Sequence, residues 1–315
     1  MWLKVMILLA GLCLFPMKSH ALSCTATVTT VAFGTVDPFA SASTTSGTLR
    51  FTCTKGLTEV LNAATVCFNL YPTSSGAPVD ARKMASGSNQ LSYQLYTDAG
   101  RTNVWGNQGV SSNSVLKYSL GLLDLGVAHT IPFYAAVPAG QATTAPGSYL
   151  DAFTTTNTTI TAKSDPLVTD SSCGTTVVGN MAFNVTASVN KQCKINATNN
   201  ITLDSVPHTR TNITGNNFFT MTCTNTTPYT VGLSPSNGNS AGSGVMKSAT
   251  SPDQVPYQLN STVGVSGTPW GSLAPNTVAG TGTGQAVDRY VYVVVPSANY
   301  RPATYNDTVT INVTY

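Results

Sequence analysis

Leu49-Arg-Phe-Thr-Cys53-Thr returns 170 residues later as Phe219-Thr-Met-Thr-Cys223-Thr. Both stretches are short, rich in apolar and β-branched residues, and reach a cysteine. Reading outward from each gives the same landmarks in the same order. The first set is Cys24, Leu70, Met84, Tyr93-Gln-Leu95, Trp105-Gly106, Val137-Pro138 and Tyr149-Leu-Asp151. The second is Cys193, Leu233, Met246, Tyr257-Gln-Leu259, Trp270-Gly271, Val295-Pro296 and Tyr305-Asn-Asp307. Corresponding positions differ by 156 to 170 residues. The chain therefore reads as two copies of one domain, 22–190 and 191–315. Each copy is a series of short runs separated by Gly, Pro, Asn and Ser, which predicts an all-β protein of two antiparallel sandwiches.

Composition agrees. Only 9% of the 315 residues are charged against 42% hydrophobic, and Glu59 is the sole glutamate. Intrinsic disorder, which combines low hydrophobicity with high net charge, is excluded. Lys4, the apolar run over 5–15, Pro16 and Ser19-His20-Ala21 read as a signal peptide over 1–21, cut after Ala21. That run is too short to span a bilayer as an anchor. Beyond it the chain carries 13 basic and 12 acidic residues, which excludes a strongly basic nucleic-acid binder.

Cys13 leaves with the leader, and six cysteines remain. An even number in an exported chain predicts disulfides. Cys24 with Cys53 and Cys193 with Cys223 occupy equivalent places in the copies and are paired within each domain. Cys67 and Cys173 pair by elimination. No metal centre or cofactor is expected: no Cys-x-x-Cys occurs, and His129 and His208 lie far apart.

The copies end differently. The second closes on Val309-Thr-Ile311-Asn-Val313-Thr-Tyr315, a period-2 strand whose counterpart falls within 149–161. The first copy then continues into a further strand with Met181, Phe183, Val185, Ala187 and Val189 on one face. The second sandwich is thus expected to lack its last strand. Val309, Ile311, Val313 and Tyr315 then form an open edge that accepts a strand from another chain. Only Leu22 and Ser23 precede Cys24 after cleavage, too few to donate a strand in return. Such a subunit is expected at the end of a linear polymer.

These features resemble the spore coat protein U domain family of secreted bacterial proteins. The matching residues are the two cysteine pairs, Phe33-Gly34, the Tyr-Gln-Leu segments, the Trp-Gly pairs and Tyr305-Asn-Asp-Thr-Val-Thr-Ile. The tandem arrangement is similar to the two-domain tip adhesins of archaic, Csu-type chaperone–usher pili. The resemblance implies immunoglobulin-like pilin domains. It implies a periplasmic chaperone that covers the open edge, an outer-membrane usher, and the next pilin subunit as strand donor. It also implies export to the pilus tip and attachment to abiotic or host surfaces with biofilm formation. Cys67 and Cys173 have no counterpart in the second copy.

Comparison of the copies locates a candidate adhesive surface. The first copy has seven extra residues between Cys53 and Leu70, in a region holding Leu57, Val60 and Leu61. Gly121-Leu-Leu-Asp-Leu-Gly126, with Leu122, Leu123 and Leu125, stands opposite Ala279-Gly-Thr-Gly-Thr-Gly284. Pro166-Leu167-Val168 precedes the extra strand. These loops are expected to expose an apolar patch at the end away from Asn190. A competing reading folds their leucines into the core or over its open ends.

Other chemistry is weaker. Asp80, Asp98, Asp124 and Asp151 are isolated and expected in turns. Gly280-Thr-Gly-Thr-Gly284 lacks a phosphate-loop lysine and reads as a strand connection. No nucleophile elbow is present, so catalysis is not expected. Trp105 and Trp270, at equivalent positions, read as core rather than as sugar-stacking platforms. A lectin-like tip that binds a host glycan and a structural pilus or coat subunit without receptor remain as alternatives to the adhesin.

Overall fold

A computed structural model describes residues 22–55, 63–110, 114–121, 124–165 and 172–315. The leader and seven of the eight apolar loop residues named above (Leu57, Val60, Leu61, Leu122, Leu123, Leu167 and Val168) lie outside these. Among the described residues there are strands and turns but no helix. The first sandwich uses β1 Ser23–Val28, β2 Val31–Thr35, β3 Ser43–Thr54, β4 Ala63–Leu70, β5 Lys83–Ser86, β6 Asn89–Ser92 and β7 Gln94–Tyr96. It continues with β8 Leu116–Leu120, β9 Ala128–Val137, β10 Gly147–Phe153, β11 Thr158–Asp165, β12 Thr176–Gly179 and β13 Phe183–Val189. The second uses β14 Cys193–Thr198, β15 Thr211–Cys223, β16 Pro228–Pro235, β17 Ser243–Lys247, β18 Gln254–Asn260, β19 Val278–Thr281, β20 Ala286–Ser297 and β21 Val309–Thr314.

Period-2 patterning sets the faces. In β13, Phe183, Val185, Ala187 and Val189 are buried while Asn184 points to solvent. Turn chemistry sets the connections: Gly87 opens the two-residue hairpin between β5 and β6 at φ +59°, where a side chain would be strained. The sheets of the first sandwich have strand orders β1-β3-β9-β7, β2-β13-β10-β5-β6 and β12-β11-β4-β8. Those of the second are β14-β15-β20-β18-β17 and β19-β16-β21.

The core of each copy is built around a tryptophan. Trp105 and Trp270 are fully enclosed, and their indole N–H groups donate to the carbonyls of Phe68 (2.8 Å) and Val231 (3.0 Å). That equivalence settles their role as core. Both copies also carry a tyrosine corner, in which a tyrosine hydroxyl bonds back to the chain. Tyr149 donates to the Ala145 carbonyl at 2.6 Å and Tyr305 to that of Arg301 at 2.8 Å.

The three disulfides are Cys24–Cys53, Cys67–Cys173 and Cys193–Cys223, as the repeat and elimination give them. The first and third staple β1 to β3 and β14 to β15 at directly opposed positions. The second ties β4 to the segment leading into β12.

The two sandwiches follow each other closely. β13 ends at Val189, and Gln192 is already bonded to the second copy: its N–H donates to Thr224 Oγ1 and its carbonyl accepts from Thr224 N. Across the junction Gln192 Nε2 donates to Asp37 Oδ1 at 2.5 Å and Asn225 Nδ2 to the Thr143 carbonyl at 2.8 Å.

Two expectations need correction. Gly280 and Thr281 belong to β19, so only Gly282–Gly284 forms the connection. Asp151 is not in a turn but in β10, buried, where its carboxylate accepts the Tyr93 hydroxyl at 2.6 Å.

Candidate functional site

The first candidate is the edge of β21. In the first copy, β10 pairs with β13 over seven positions, and β11 pairs with β12 over three more. Thr158 pins the switch between β12 and β13, its hydroxyl donating to the Met181 carbonyl and accepting from the Met181 N–H. The inward residues Tyr149, Asp151, Phe153 and Ile160 are consequently 0–3% exposed.

The same row in the second copy is Tyr305, Asp307, Val309, Ile311 and Val313. It packs against the second core, yet every member is half-exposed. β21 pairs with β16 along one side, from Pro235↔Val309 to Thr230↔Thr314, and is the last strand of its sheet. The segment equivalent to β2, around Ile201 and Leu203, packs on the core without forming a strand. In the first copy, β2 is held by its parallel pairing to β13. No described strand does this for 201–205, and that is why the strand is lost there. Tyr315 lies just past β21 and is exposed.

Asp307 repeats the buried pair of the first copy, accepting the Tyr257 hydroxyl at 2.5 Å. Burial first, then the hydrogen bond to Asp307 and its charge, push the Tyr257 phenol far above its ordinary range. Burial and Asp151 do the same to Tyr93, partly opposed by the Arg82 guanidinium. Both folded values are raised, so the contribution of these neutral phenols is complete below the ordinary tyrosine pKa of about 10. It is lost as pH rises above that value, since only the unfolded chain ionises readily. The melting temperature is expected to stay flat to about pH 10 and then fall. Tyrosinate absorbance from these two residues should appear only with unfolding. Ionisation of every tyrosine in the folded chain at the ordinary value would contradict this.

The second candidate is the far end of the first sandwich. Ala63 at the start of β4 faces Asp165 at the end of β11, and Ala64 faces Leu120 at the end of β8. Gly126 N–H donates to the carbonyl of Cys53 near the end of β3. The described residues flanking 56–62, 122–123 and 166–171 therefore converge on one end, opposite the junction at Val189. Gly121 N–H donates to Asp124 Oδ2 at 2.8 Å, and His129 bridges the Asp124 carbonyl to the Tyr118 hydroxyl. Leu125 is half-buried and packs on the first core. Asp98 does close a turn, accepting from the N–H groups of Thr102 and Asn103. Among the described residues, no group of three or more His, Cys, Asp or Glu could hold a metal ion.

What sequence reasoning missed is the Tyr–Asp pair. The signal was present: Tyr-x-Asp recurs in both copies, and a tyrosine precedes it at Tyr93 and Tyr257.

Two tandem immunoglobulin-like sandwiches, one complete and one with an unpaired edge, define the class of this molecule. More particularly, the chain belongs to the Spore Coat Protein U domain family, whose sequence profile matches residues 15–156 and 180–312. Comparison with curated proteins gave no match. Among solved structures, it shares its fold with the chaperone–tip adhesion subunit pre-assembly complex of archaic chaperone–usher Csu pili of Acinetobacter baumannii. That match has a TM-score of 0.51 and 18% identity over 94% of this chain and 100% of the other. The CupB6 tip adhesin of Pseudomonas aeruginosa matches at 0.36 and 10% identity, over 94% and 96% of the two chains. CfaE, the adhesive subunit of CFA/I fimbria of enterotoxigenic Escherichia coli, matches at 0.35 and 11%, over 90% and 92%.

Proposed function

We propose that this protein is the tip adhesin of a chaperone–usher pilus. Residues 22–190 form the surface-binding unit and 191–315 the unit that anchors it. The observation that carries this reading is the contrast between β10–β11, covered by β12–β13, and β21, whose second side has no partner among the described residues. An open apolar edge is an aggregation hazard unless another chain supplies a strand. A periplasmic chaperone covers it first. The next pilin subunit then replaces the chaperone at the outer-membrane usher, and the protein reaches the cell surface at the pilus tip after its leader is removed. The similar solved complex, described as a chaperone with a tip subunit before assembly, supports this order.

Adhesion is assigned to the far end of 22–190, through Leu57, Val60, Leu61, Leu122, Leu123, Leu167 and Val168, while Leu125 packs on the first core and supports the patch from beneath. The convergence of the flanking strand ends favours one shared patch over three separate loops. Covering ~200 Å² of apolar surface at ~25 cal/mol per Å² is worth about 5 kcal/mol before binding costs. Many pili multiply such weak contacts and support biofilm growth.

The test replaces Leu57, Leu61, Leu167 and Val168 by Asp or Ser in piliated cells. Attachment to polystyrene should fall at least tenfold with pilus number unchanged. Unaltered attachment rejects the apolar patch, and binding confined to particular glycans on an array would replace it with a lectin. Gold labelling along the whole shaft would remove the tip assignment.

A further inference from the structure

Three hydrogen bonds recur in both sandwiches and bring their frames into correspondence. Tyr93–Asp151 matches Tyr257–Asp307, Tyr149–Ala145 matches Tyr305–Arg301, and Trp105–Phe68 matches Trp270–Val231. The chain thus contains its own template for a strand at the open edge. β13 runs antiparallel to β10 and sets Ala187 opposite Tyr149, Val185 opposite Asp151 and Phe183 opposite Phe153. The two tyrosine bonds carry the first two facing positions to Tyr305 and Asp307, and the next inward residue along the row is Val309.

Each position sets a size. At the tyrosine corner a bulky ring faces the smallest inward residue of β13, and Tyr149 and Ala187 are both buried. Valine beside Asp151 shields the carboxylate without competing for the tyrosine hydroxyl, which keeps the buried pair satisfied. Phe183 lies flat on Phe153, ring centres 4.5 Å apart, and parallel to Trp105 at 6.0 Å. In the second copy Val309 is smaller than Phe153, while Trp270 is retained, so a side chain as large as phenylalanine has room. Outward positions of β13 are Asn184, Thr186 and Ser188, none of which enters the core.

We infer that the β21 edge selects an extended segment of another chain, antiparallel to 303–314, with a fixed inward pattern. That pattern is a large apolar residue opposite Val309, a β-branched residue opposite Asp307, and alanine or glycine opposite Tyr305. The inference rests on the strand-accepting reading and adds the chemistry of the partner to it.

The test uses the purified chain from residue 22 and a fluorescent peptide with the sequence of residues 176–189, followed by anisotropy. The peptide should bind, and its A187L form should bind at least tenfold more weakly. A T186L form, altered on the outward face, should bind within twofold of the parent. The Ile311→Asp chain should lose binding. Equal affinity of the parent and A187L peptides would overturn the size rule while leaving the edge as an acceptor. So would binding of a plain alternating Val-Thr peptide but not of the parent. Binding that survives Ile311→Asp puts the peptide elsewhere and overturns the inference. If neither the parent nor the Val-Thr peptide binds, the strand-accepting reading itself fails.

Discussion

Val185→Asp should destroy the first sandwich, while Ile311→Asp should leave the second folded and unable to accept a strand. Val185 is fully enclosed between β2 and β10 and faces Asp151 across the register. A second carboxylate there would be buried with a like charge opposite it. The expected cost exceeds about 4 kcal/mol, a large part of the 5–15 kcal/mol that holds a domain together. The cooperative melting of the first sandwich should vanish, together with the near-ultraviolet signal of Trp105. Ile311 also faces a core, from β21, but is half-exposed and paired on one side only. An aspartate can turn toward solvent there, at about 1–2 kcal/mol. The reverse ranking of the two variants would mean that the complete and open sandwiches have been exchanged.

Fusing a second copy of residues 176–189 behind Tyr315 through a short flexible linker should raise the melting temperature of the second sandwich by about 12–20 °C. A short linker sets an effective concentration in the millimolar range. A strand with micromolar affinity is then present at about a thousand times its dissociation constant, worth about 4 kcal/mol. For a domain of this size each kcal/mol moves the midpoint by about 3–5 °C. Differential scanning calorimetry of the fusion and the parent measures the shift. An unchanged second transition would show that the edge is not short of a strand.

Most of the fold was legible because the repeat is a physical comparison within one sequence. Cys24, Cys53, Cys193 and Cys223 could be paired, and the extra strand with Phe183 and Val185 inward could be recognised, since patterning and position agreed. What remained hidden depended on three-dimensional partners. Asp151 looked like a turn residue because aspartate is rare inside strands. The hydroxyl of Tyr93, 58 residues away, and the charge of the buried Arg82 guanidinium make its burial tolerable. Gly280 looked like a loop because glycine weakens strands, yet it pairs with Tyr229, whose ring occupies the space a side chain would need. The open edge could be read from sequence as a missing partner strand. That the three apolar segments share the end away from Asn190 was also expected from sequence, and the register between β4, β8 and β11 brings their described flanks together there.

The route by which β13 enters the junction bears on traction. In the proposed role, a tip held at its far end and pulled from the pilus would load the chain through Gln192 into Val189, at the end of β13. That strand lies alongside β10 over seven positions and beside β2 on its other flank. Tension along its axis acts on these bonds in shear, so many must give way together rather than one after another as in peeling. On that reading, the strand that completes the first sandwich would also bear the drag of flowing liquid on an attached cell.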